Sequence, residues 1–165
     1  MKNLTLIRHA KSDWSSGANS DFDRRLNARG KKAAPIMGRR MVETGIRPDL
    51  LICSPAKRAQ QTAELLADEL DYNQTDIIYE SDIYEASVKT LIHLVTEFPA
   101  QEHIAMVGHN PGLSDLADWL CPEVSEWLPT CAMVSLELSI TDWDELHQDC
   151  ASLLRYDYPK KVNGS

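Results

Sequence analysis

The sequence lacks the features of membrane-spanning, secreted and nucleic-acid-binding proteins. No apolar run approaches the length of a membrane span, and Arg8 interrupts the opening apolar run, so no signal peptide is expected. We therefore expect a cytoplasmic protein with no membrane partner. The 25 Asp and Glu outnumber the 17 Lys and Arg and give a net charge of −8. A general nucleic-acid binder would show a basic surface, so no nucleic-acid partner is expected, and any phosphate site has to be locally basic.

Paired cysteine spacing is also absent. The four cysteines are widely scattered, without any C-x-x-C arrangement: Cys53, Cys121, Cys131 and Cys150. In a cytosolic chain they are most simply buried thiols or surface bystanders, because structural zinc sites use closely paired ligands. We therefore expect no metal and no cofactor.

The chain has enough apolar residues for one layered domain. Its 165 residues are 43% hydrophobic, which suffices for a core. Short apolar runs predict strands at 4–7, 49–53, 77–79, 103–107, 132–140 and 152–156, and helical spacing predicts helices at about 28–43, 56–70, 88–97 and 113–120. This alternation predicts a single α/β domain over residues 1–158, followed by a flexible tail at 159–165.

Basic and imidazole side chains follow several of the predicted strands. Arg8 and His9 follow the first, His109 follows the fourth, and Arg58 lies in the helix that comes after Ser54. Because ligands bind at the carboxyl ends of parallel strands, we expect these side chains to converge. Two guanidinium groups and a helix N-terminus suit a tetrahedral oxyanion. The sequence therefore predicts a phosphate pocket.

Two histidines beside two arginines favour covalent catalysis, although each histidine also has an interpretation as a structural polar residue. Neighbouring cations disfavour the imidazolium form, so we expect a lowered pKa for His9 and attack on phosphorus by its neutral ring. The second ring nitrogen needs an acceptor, most simply a backbone carbonyl. Arg8, Arg58 and His109 would stabilise charge on the phosphoryl oxygens.

Four segments resemble motifs of the histidine phosphatase family, and they come in the family's order. They are RHAKSDWS at 8–15, LNARGKKA at 26–33, SPAKRAQQTA at 54–63 and GHN at 108–110. The short chain and the GHNPG run resemble the SixA-type phosphohistidine phosphatases in particular. The resemblance implies a phosphoglycerate mutase-like fold, which is a three-layer αβα sandwich around a mixed, mostly parallel sheet.

The same resemblance implies roles for individual residues. His9 would be the phosphorylated nucleophile, and three residues would hold the phosphoryl group: Arg8, Arg58 and His109. Ser15 stands where many family members bind phosphate through an asparagine, and its hydroxyl still donates.

The proton donor is expected among the carboxylates that follow the third strand. Glu80, Asp82 and Glu85 compete for this role, and we favour Glu85; its alternative interpretation is a solvated loop carboxylate.

The resemblance implies a metal-independent hydrolase that acts through a phosphohistidine on His9 and releases inorganic phosphate. The short loops offer little to form a lid, and open sites suit large substrates, so phosphohistidine on a protein is the first expectation. A small phosphorylated metabolite is the alternative substrate, and a non-catalytic phosphate-binding module is the alternative of another class. Arg24 and Arg25 either line the mouth of the site or pair with Asp21 or Asp23.

Overall fold

A computed structural model of the chain describes residues 1–14 and 17–161. Its strands are β1 (Lys2–Arg8), β2 (Ser12–Asp13), β3 (Arg25–Leu26), β4 (Leu50–Cys53), β5 (Ile78–Tyr79), β6 (His103–Gly108), β7 (Met133–Leu138) and β8 (Ala151–Asp157). Its helices are α1 (Ala28–Glu43), α2 (Lys57–Leu70), α3 (Val88–Thr96) and α4 (Gly112–Leu120). Within the described residues, no helix is both long enough and apolar enough to cross a membrane.

The described residues form a six-stranded main sheet with the order β5-β4-β6-β1-β7-β8. Strands β5, β4, β6 and β1 run parallel, whereas β7 is antiparallel to β1 and β8 is antiparallel to β7. The register pairs Arg8 with Gly108 and Cys53 with Val107. Strands β1, β4 and β6 therefore end at nearly the same level of one sheet edge.

Helices cover both faces of this sheet. Side chains alternate between the faces along each strand, so that Ile7 and Val107 pack with α1 and α2, whereas Leu6 and Met106 pack with α3 and α4. The predicted three-layer αβα sandwich with a mostly parallel sheet is thereby confirmed.

The start of α1 is tied to the segment that follows β1. The Asn27 side chain accepts a hydrogen bond from the Gly30 amide at 3.0 Å, as an N-cap does. The Asn27 amide donates to the Lys11 carbonyl at 2.9 Å. A Cβ on Gly30 would collide with that same carbonyl oxygen, so glycine permits the close approach. The helix then continues through Pro35 to Glu43.

Two features differ from the sequence-based expectation or extend beyond it. Strands β2 and β3 form a short antiparallel ladder that is not among the strands predicted from the sequence. At the C-terminal end, Arg40 donates to the carbonyls of Tyr158 and Pro159 at 2.9 and 3.3 Å. Residues 162–165 of the predicted tail lie outside the described residues.

Candidate active site

The carboxyl ends of β1, β4 and β6 bring together four of the side chains predicted from sequence. The His9 amide donates to the Gly108 carbonyl at 3.0 Å, which holds the two strand ends side by side. The rings of His9 and His109 have centroids 5.1 Å apart. Arg58, in the first turn of α2, places Nε 3.3 Å from Nε2 of His9. The charge of Arg8 acts on both rings. These four side chains therefore lie together at one edge of the sheet, which we call the rim.

Hydrogen bonds assign the tautomer of His9. Its Nδ1 lies 2.7 Å from the Ala10 carbonyl oxygen, which only accepts, so Nδ1 carries the hydrogen. Nε2 accepts from Arg58 and therefore bears the lone pair. The Ala10 amide in turn donates to Thr62 Oγ1 at 2.9 Å, and the Thr62 hydroxyl donates to the Arg58 carbonyl at 2.8 Å. Strand β1 and helix α2 together thus orient the ring.

Burial keeps His9 neutral. Desolvation is the largest cause that lowers its pKa, to about 3, and the positive charges of His109, Arg58 and Arg8 lower it further against the opposing bond to Ala10. The sequence pointed to the cations as the cause, but burial outweighs them. At neutral pH the Nε2 lone pair is therefore available.

A hydrogen bond also assigns the tautomer of His109. Its Nε2 lies 2.7 Å from Ser54 Oγ, which already accepts from the Ala56 amide at 3.2 Å and is free to donate to the ring. Burial, followed by the charge of Arg58, lowers the pKa of His109 to about 4. The neutral ring therefore carries its hydrogen on Nδ1. Among the described residues, His109 Nδ1 and Arg8 Nε are buried donors without a hydrogen-bond partner. Unpaired buried donors are rare in proteins and suit an anion.

Asp21 completes the rim on its outer side. Its carbonyl oxygen accepts from Arg58 Nη1 at 2.7 Å, and its carboxylate accepts from Arg58 Nη2 at 3.0 Å and from the Tyr84 hydroxyl at 2.7 Å. Burial alone would raise the pKa of Asp21, but these hydrogen bonds and the charge of Arg58 lower it overall. Arg24 pairs with Asp21 at 3.4 Å, as one of the two interpretations of Arg24 predicted.

The connector after β5 contributes an aromatic ring to the site. Tyr84 packs edge-on against His109 with centroids 5.6 Å apart and against Phe22 at 5.1 Å. Burial, with the hydrogen bond and charge of Asp21, raises the pKa of Tyr84 to about 12. The tyrosine hydroxyl therefore acts as a hydrogen-bond donor to Asp21.

The candidate proton donors after β5 do not bond to the histidines within the described residues. Glu85 is exposed and has a left-handed backbone with φ of 54°. Within the described part of the chain, the side chains of Glu80, Asp82 and Glu85 form no hydrogen bond or ion pair with either histidine. Ser15 lies outside the described residues.

A loop carbonyl orients Arg8. Leu128 O accepts from Arg8 Nη1 at 2.9 Å and from Asn110 Nδ2 at 2.8 Å. The Asn110 carbonyl oxygen accepts from the Ser114 hydroxyl at 2.7 Å, which fixes the amide. Asn110 directly follows His109, so its place in the GHN motif was the available signal for this contact.

The remaining candidate ligands do not gather. All four cysteines are free thiols and buried, as one of the two interpretations predicted. Over residues 1–14 and 17–161, no group of three His, Cys, Asp or Glu side chains is placed to hold a metal ion.

Comparison with known proteins gives both a family and a fold. Residues 4–114 match the family described as "Histidine phosphatase superfamily (branch 1)". The mitochondrial serine/threonine-protein phosphatase Pgam5 of Drosophila persimilis is 34% identical over 76 residues, which are 46% of this chain and 26% of that protein. The chain thus matches only about a quarter of the length of this curated relative.

Similar structures cover nearly the whole chain. A candidate phosphohistidine phosphatase SixA from Agrobacterium tumefaciens superposes with a TM-score of 0.80 at 26% identity, over 96% of this chain and 98% of that one. The protein histidine phosphatase SixA in complex with tungstate superposes with a TM-score of 0.77 at 21% identity, over 95% and 97%. The family match runs from β1 into α4, and the chain therefore belongs to branch 1 of the histidine phosphatase superfamily and has the fold of its SixA-type members.

Proposed function

We propose that this chain is a phosphatase that hydrolyses phosphohistidine on proteins through a covalent phosphohistidine at His9. Membership of the histidine phosphatase superfamily supports phosphatase activity on a phosphorylated substrate. The observation that carries the mechanism is the neutral His9 ring, whose Nε2 lone pair faces Arg58 while its Nδ1 is held by the Ala10 carbonyl. An oriented, unprotonated nucleophile in a cationic pocket is what in-line attack on phosphorus requires.

The reaction proceeds in two displacements. His9 Nε2 attacks phosphorus, the P–Nε2 bond forms, and the bond from phosphorus to the leaving nitrogen breaks. Water then attacks phosphorus, the P–Nε2 bond breaks, and inorganic phosphate leaves with His9 regenerated. In both steps Nδ1–H keeps its hydrogen bond to the Ala10 carbonyl, which stabilises the positive charge on the phosphorylated ring.

Three groups would stabilise the transferring phosphoryl group. Arg8 Nε and His109 Nδ1 are two buried donors that have no hydrogen-bond partner in the described chain. Arg58 Nε now donates to His9 Nε2 and would donate to a phosphoryl oxygen once phosphorus takes that position. Preorganised donors of this kind stabilise charge that develops in the transition state.

The acid–base environment supports a phosphoramidate substrate. Asp21 is a carboxylate at the rim, and its lowered pKa and its bonds to Arg58 and Tyr84 make it a poor proton donor. An alcohol leaving group needs protonation more than an imidazole does, because the P–N bond is already labile. Glu85 stays our predicted proton donor. We therefore expect Glu85→Gln to slow the hydrolysis of an alkyl phosphate, whose leaving group is an alcohol, more than the hydrolysis of phosphohistidine.

The mouth of the site supports a macromolecular substrate. Trp14 is 55% exposed and Phe22 is 38% exposed. Arg24 lies over the Trp14 ring, with its guanidinium carbon 5.5 Å from the ring centroid. Aromatic and arginine side chains are enriched at the centres of protein interfaces. A phosphorylated protein surface would find complementary groups here.

The test compares a phosphohistidine-bearing carrier protein with an aryl phosphate. Wild type, His9→Ala and a control, His93→Ala, are assayed in parallel for phosphate release; the His93 side chain is 78% exposed on α3. We expect His9→Ala to abolish both activities and the control to retain them. We also expect kcat/KM for the carrier protein to be higher by about tenfold or more, a difference of about 1.4 kcal/mol.

Other outcomes would overturn parts of this proposal. Faster turnover of small phosphorylated compounds than of the carrier protein would make the chain a metabolite phosphatase. Phosphate binding without any release from either substrate would leave a non-catalytic binding module.

A further inference from the structure

A cleft lies beside the rim that carries His9, on the side of α1 and the end of β8. It has a volume of about 350 Å³. Its lining is largely apolar and includes Ile36, Pro129 and Tyr158. Four cationic side chains line it: Lys11, Arg29, Lys32 and Lys160. No described acidic side chain lines the cleft.

The cleft is positively charged, whereas the whole chain has a net negative charge. The net charge is −8, and several arginines elsewhere, such as Arg39 and Arg40, are neutralised by carboxylates. In contrast, the cations of the cleft form no ion pair within residues 1–14 and 17–161. A cleft lined by unpaired cations and by apolar side chains is complementary to an acidic segment that also carries an apolar residue.

The backbone connects this cleft to the nucleophile. Lys11 directly follows Ala10, whose carbonyl holds the His9 ring. Thr130, which also lines the cleft, precedes Cys131, whose amide donates to the His9 carbonyl at 3.0 Å. Two parts of the cleft lining are therefore joined through the backbone to residues that contact His9, which places the cleft close to the nucleophile in the fold.

We propose that the cleft binds an acidic segment of the protein substrate, adjacent in that protein to the phosphohistidine. Carboxylates of the segment lie against the four cations, and an apolar side chain of the segment packs on Ile36 and Tyr158. This proposal rests on the proposed function, and it names the surface by which the phosphatase selects its protein substrate. Charge complementarity of this kind raises association rates and discriminates between partners.

The first test reverses the charge of the cleft and compares it with a matched reversal elsewhere. Arg29→Glu/Lys32→Glu alters the cleft, and Lys31→Glu/Lys89→Glu makes the same change in net charge at exposed positions outside it. We measure kcat/KM for an acidic phosphohistidine carrier protein and for an aryl phosphate. The ratio of the two values falls by about tenfold or more in the cleft variant and is retained in the control variant. Equal falls in both variants would refute the proposal.

The second test reads binding without turnover. A fluorescein-labelled peptide with one Phe flanked by Glu residues is titrated with the full chain and followed by fluorescence anisotropy, beside a peptide with Gln in place of Glu. We expect the Glu peptide to bind wild type and the Lys31→Glu/Lys89→Glu control alike, and to bind the cleft variant more weakly by about tenfold or more. The Gln peptide should bind weakly to all three proteins.

The outcomes separate the cleft from the phosphatase reaction. Absence of saturable binding of the Glu peptide to wild type would overturn the docking proposal even if aryl phosphate is hydrolysed. Peptide binding with no hydrolysis of any phosphorylated substrate would instead overturn the proposed function and leave the docking surface standing. Displacement of the peptide by inorganic phosphate alone at equal concentration would make the cleft a small-anion site and contradict the proposal.

Discussion

Arg58 uses both edges of its guanidinium group in this structure. Nε faces His9, while Nη1 and Nη2 are taken by the backbone and side chain of Asp21. A planar guanidinium group can donate to different partners from two of its edges, whereas a lysine ammonium cannot. We therefore expect Arg58→Lys to lower kcat by about 10²–10³-fold, the range for loss of one transition-state donor. A loss below threefold in steady-state assays would contradict this role.

Asp21 positions Arg58, because it clamps the edge that points away from His9. Asp21→Asn keeps the backbone acceptor but weakens the bonds to Arg58 and Tyr84, so we expect kcat to fall by about tenfold, less than for Arg58→Lys. Asp23→Asn is the control, since Asp23 accepts from the Ser20 hydroxyl and does not contact Arg58. Equal kcat values for the two variants would show that the clamp has no part in catalysis.

Thr62 holds the backbone that orients His9. Thr62→Val removes the acceptor of the Ala10 amide and leaves a buried N–H unpaired, which costs about 1–3 kcal/mol of unfolding free energy. The Ala10 carbonyl then holds Nδ1 less firmly, and kcat falls as well. Thr62→Ser restores the hydroxyl and should recover most of both values in urea unfolding and in steady-state assays. Identical behaviour of the Val and Ser variants would argue against the hydroxyl.

The sequence predicts that the two histidines and the two arginines lie together, but it does not predict the residues that hold them in position. His9 and His109 stand at strand ends, where position along the chain determines position in space. Asp21 lies in a polar loop among other carboxylates, and its contact with Arg58 depends on a loop path that periodicity does not encode. Thr62 follows Arg58 by one helical turn, and only the contact with Ala10 distinguishes it from a packing residue.

At the scale of secondary-structure elements, the close packing of α1 against the segment after β1 limits which residue can stand at position 30. Gly30→Ala adds a methyl group against the Lys11 backbone, which cannot move without disturbing Ala10. Overpacking of this kind costs about 1–3 kcal/mol, more than the roughly 1 kcal/mol that alanine gains over glycine in a helix. Urea unfolding should show a net loss for Gly30→Ala and little change for Lys31→Ala. A more stable Gly30→Ala protein would contradict the close approach.

The helices and central strands were predictable, because the helices show helical spacing of apolar residues and the central strands are short apolar runs. Asn27 and Ser87 cap α1 and α3 with their side chains, and Gly45 follows α1 with φ of 76°. The ladder of β2 and β3 was not predictable, since two-residue strands have no period to detect. Pro35 lies within α1, which begins at Ala28.

For the whole molecule, the two neutral histidines make stability depend on pH. The pKa values are about 3 for His9 and about 4 for His109 in the folded chain, against an ordinary value of 6.5. At pH values between the folded and the ordinary pKa, the unfolded chain binds more protons than the folded chain does. The free energy of unfolding therefore falls as the pH drops below 6.5. The fall approaches about 1.4 kcal/mol per pH unit for each histidine.

Urea unfolding between neutral pH and pH 5 checks this dependence. His9→Asn and His109→Asn should each reduce the slope of unfolding free energy against pH, whereas His147→Asn, at an exposed position, should retain it. A slope that all three variants share would show that the buried rings are not its source.

The central claim is the covalent intermediate, and the most direct measurement is to trap it. The protein is mixed with phosphohistidine carrier protein, quenched in alkali within the first turnover, digested and analysed by mass spectrometry. We predict a phosphoryl group on His9 that is stable in alkali and lost in acid, as a P–N bond is, and that is absent from the His9→Ala protein. Turnover of the substrate with no phosphoryl group on His9 at any quench time, or with the label on another residue, would contradict the account.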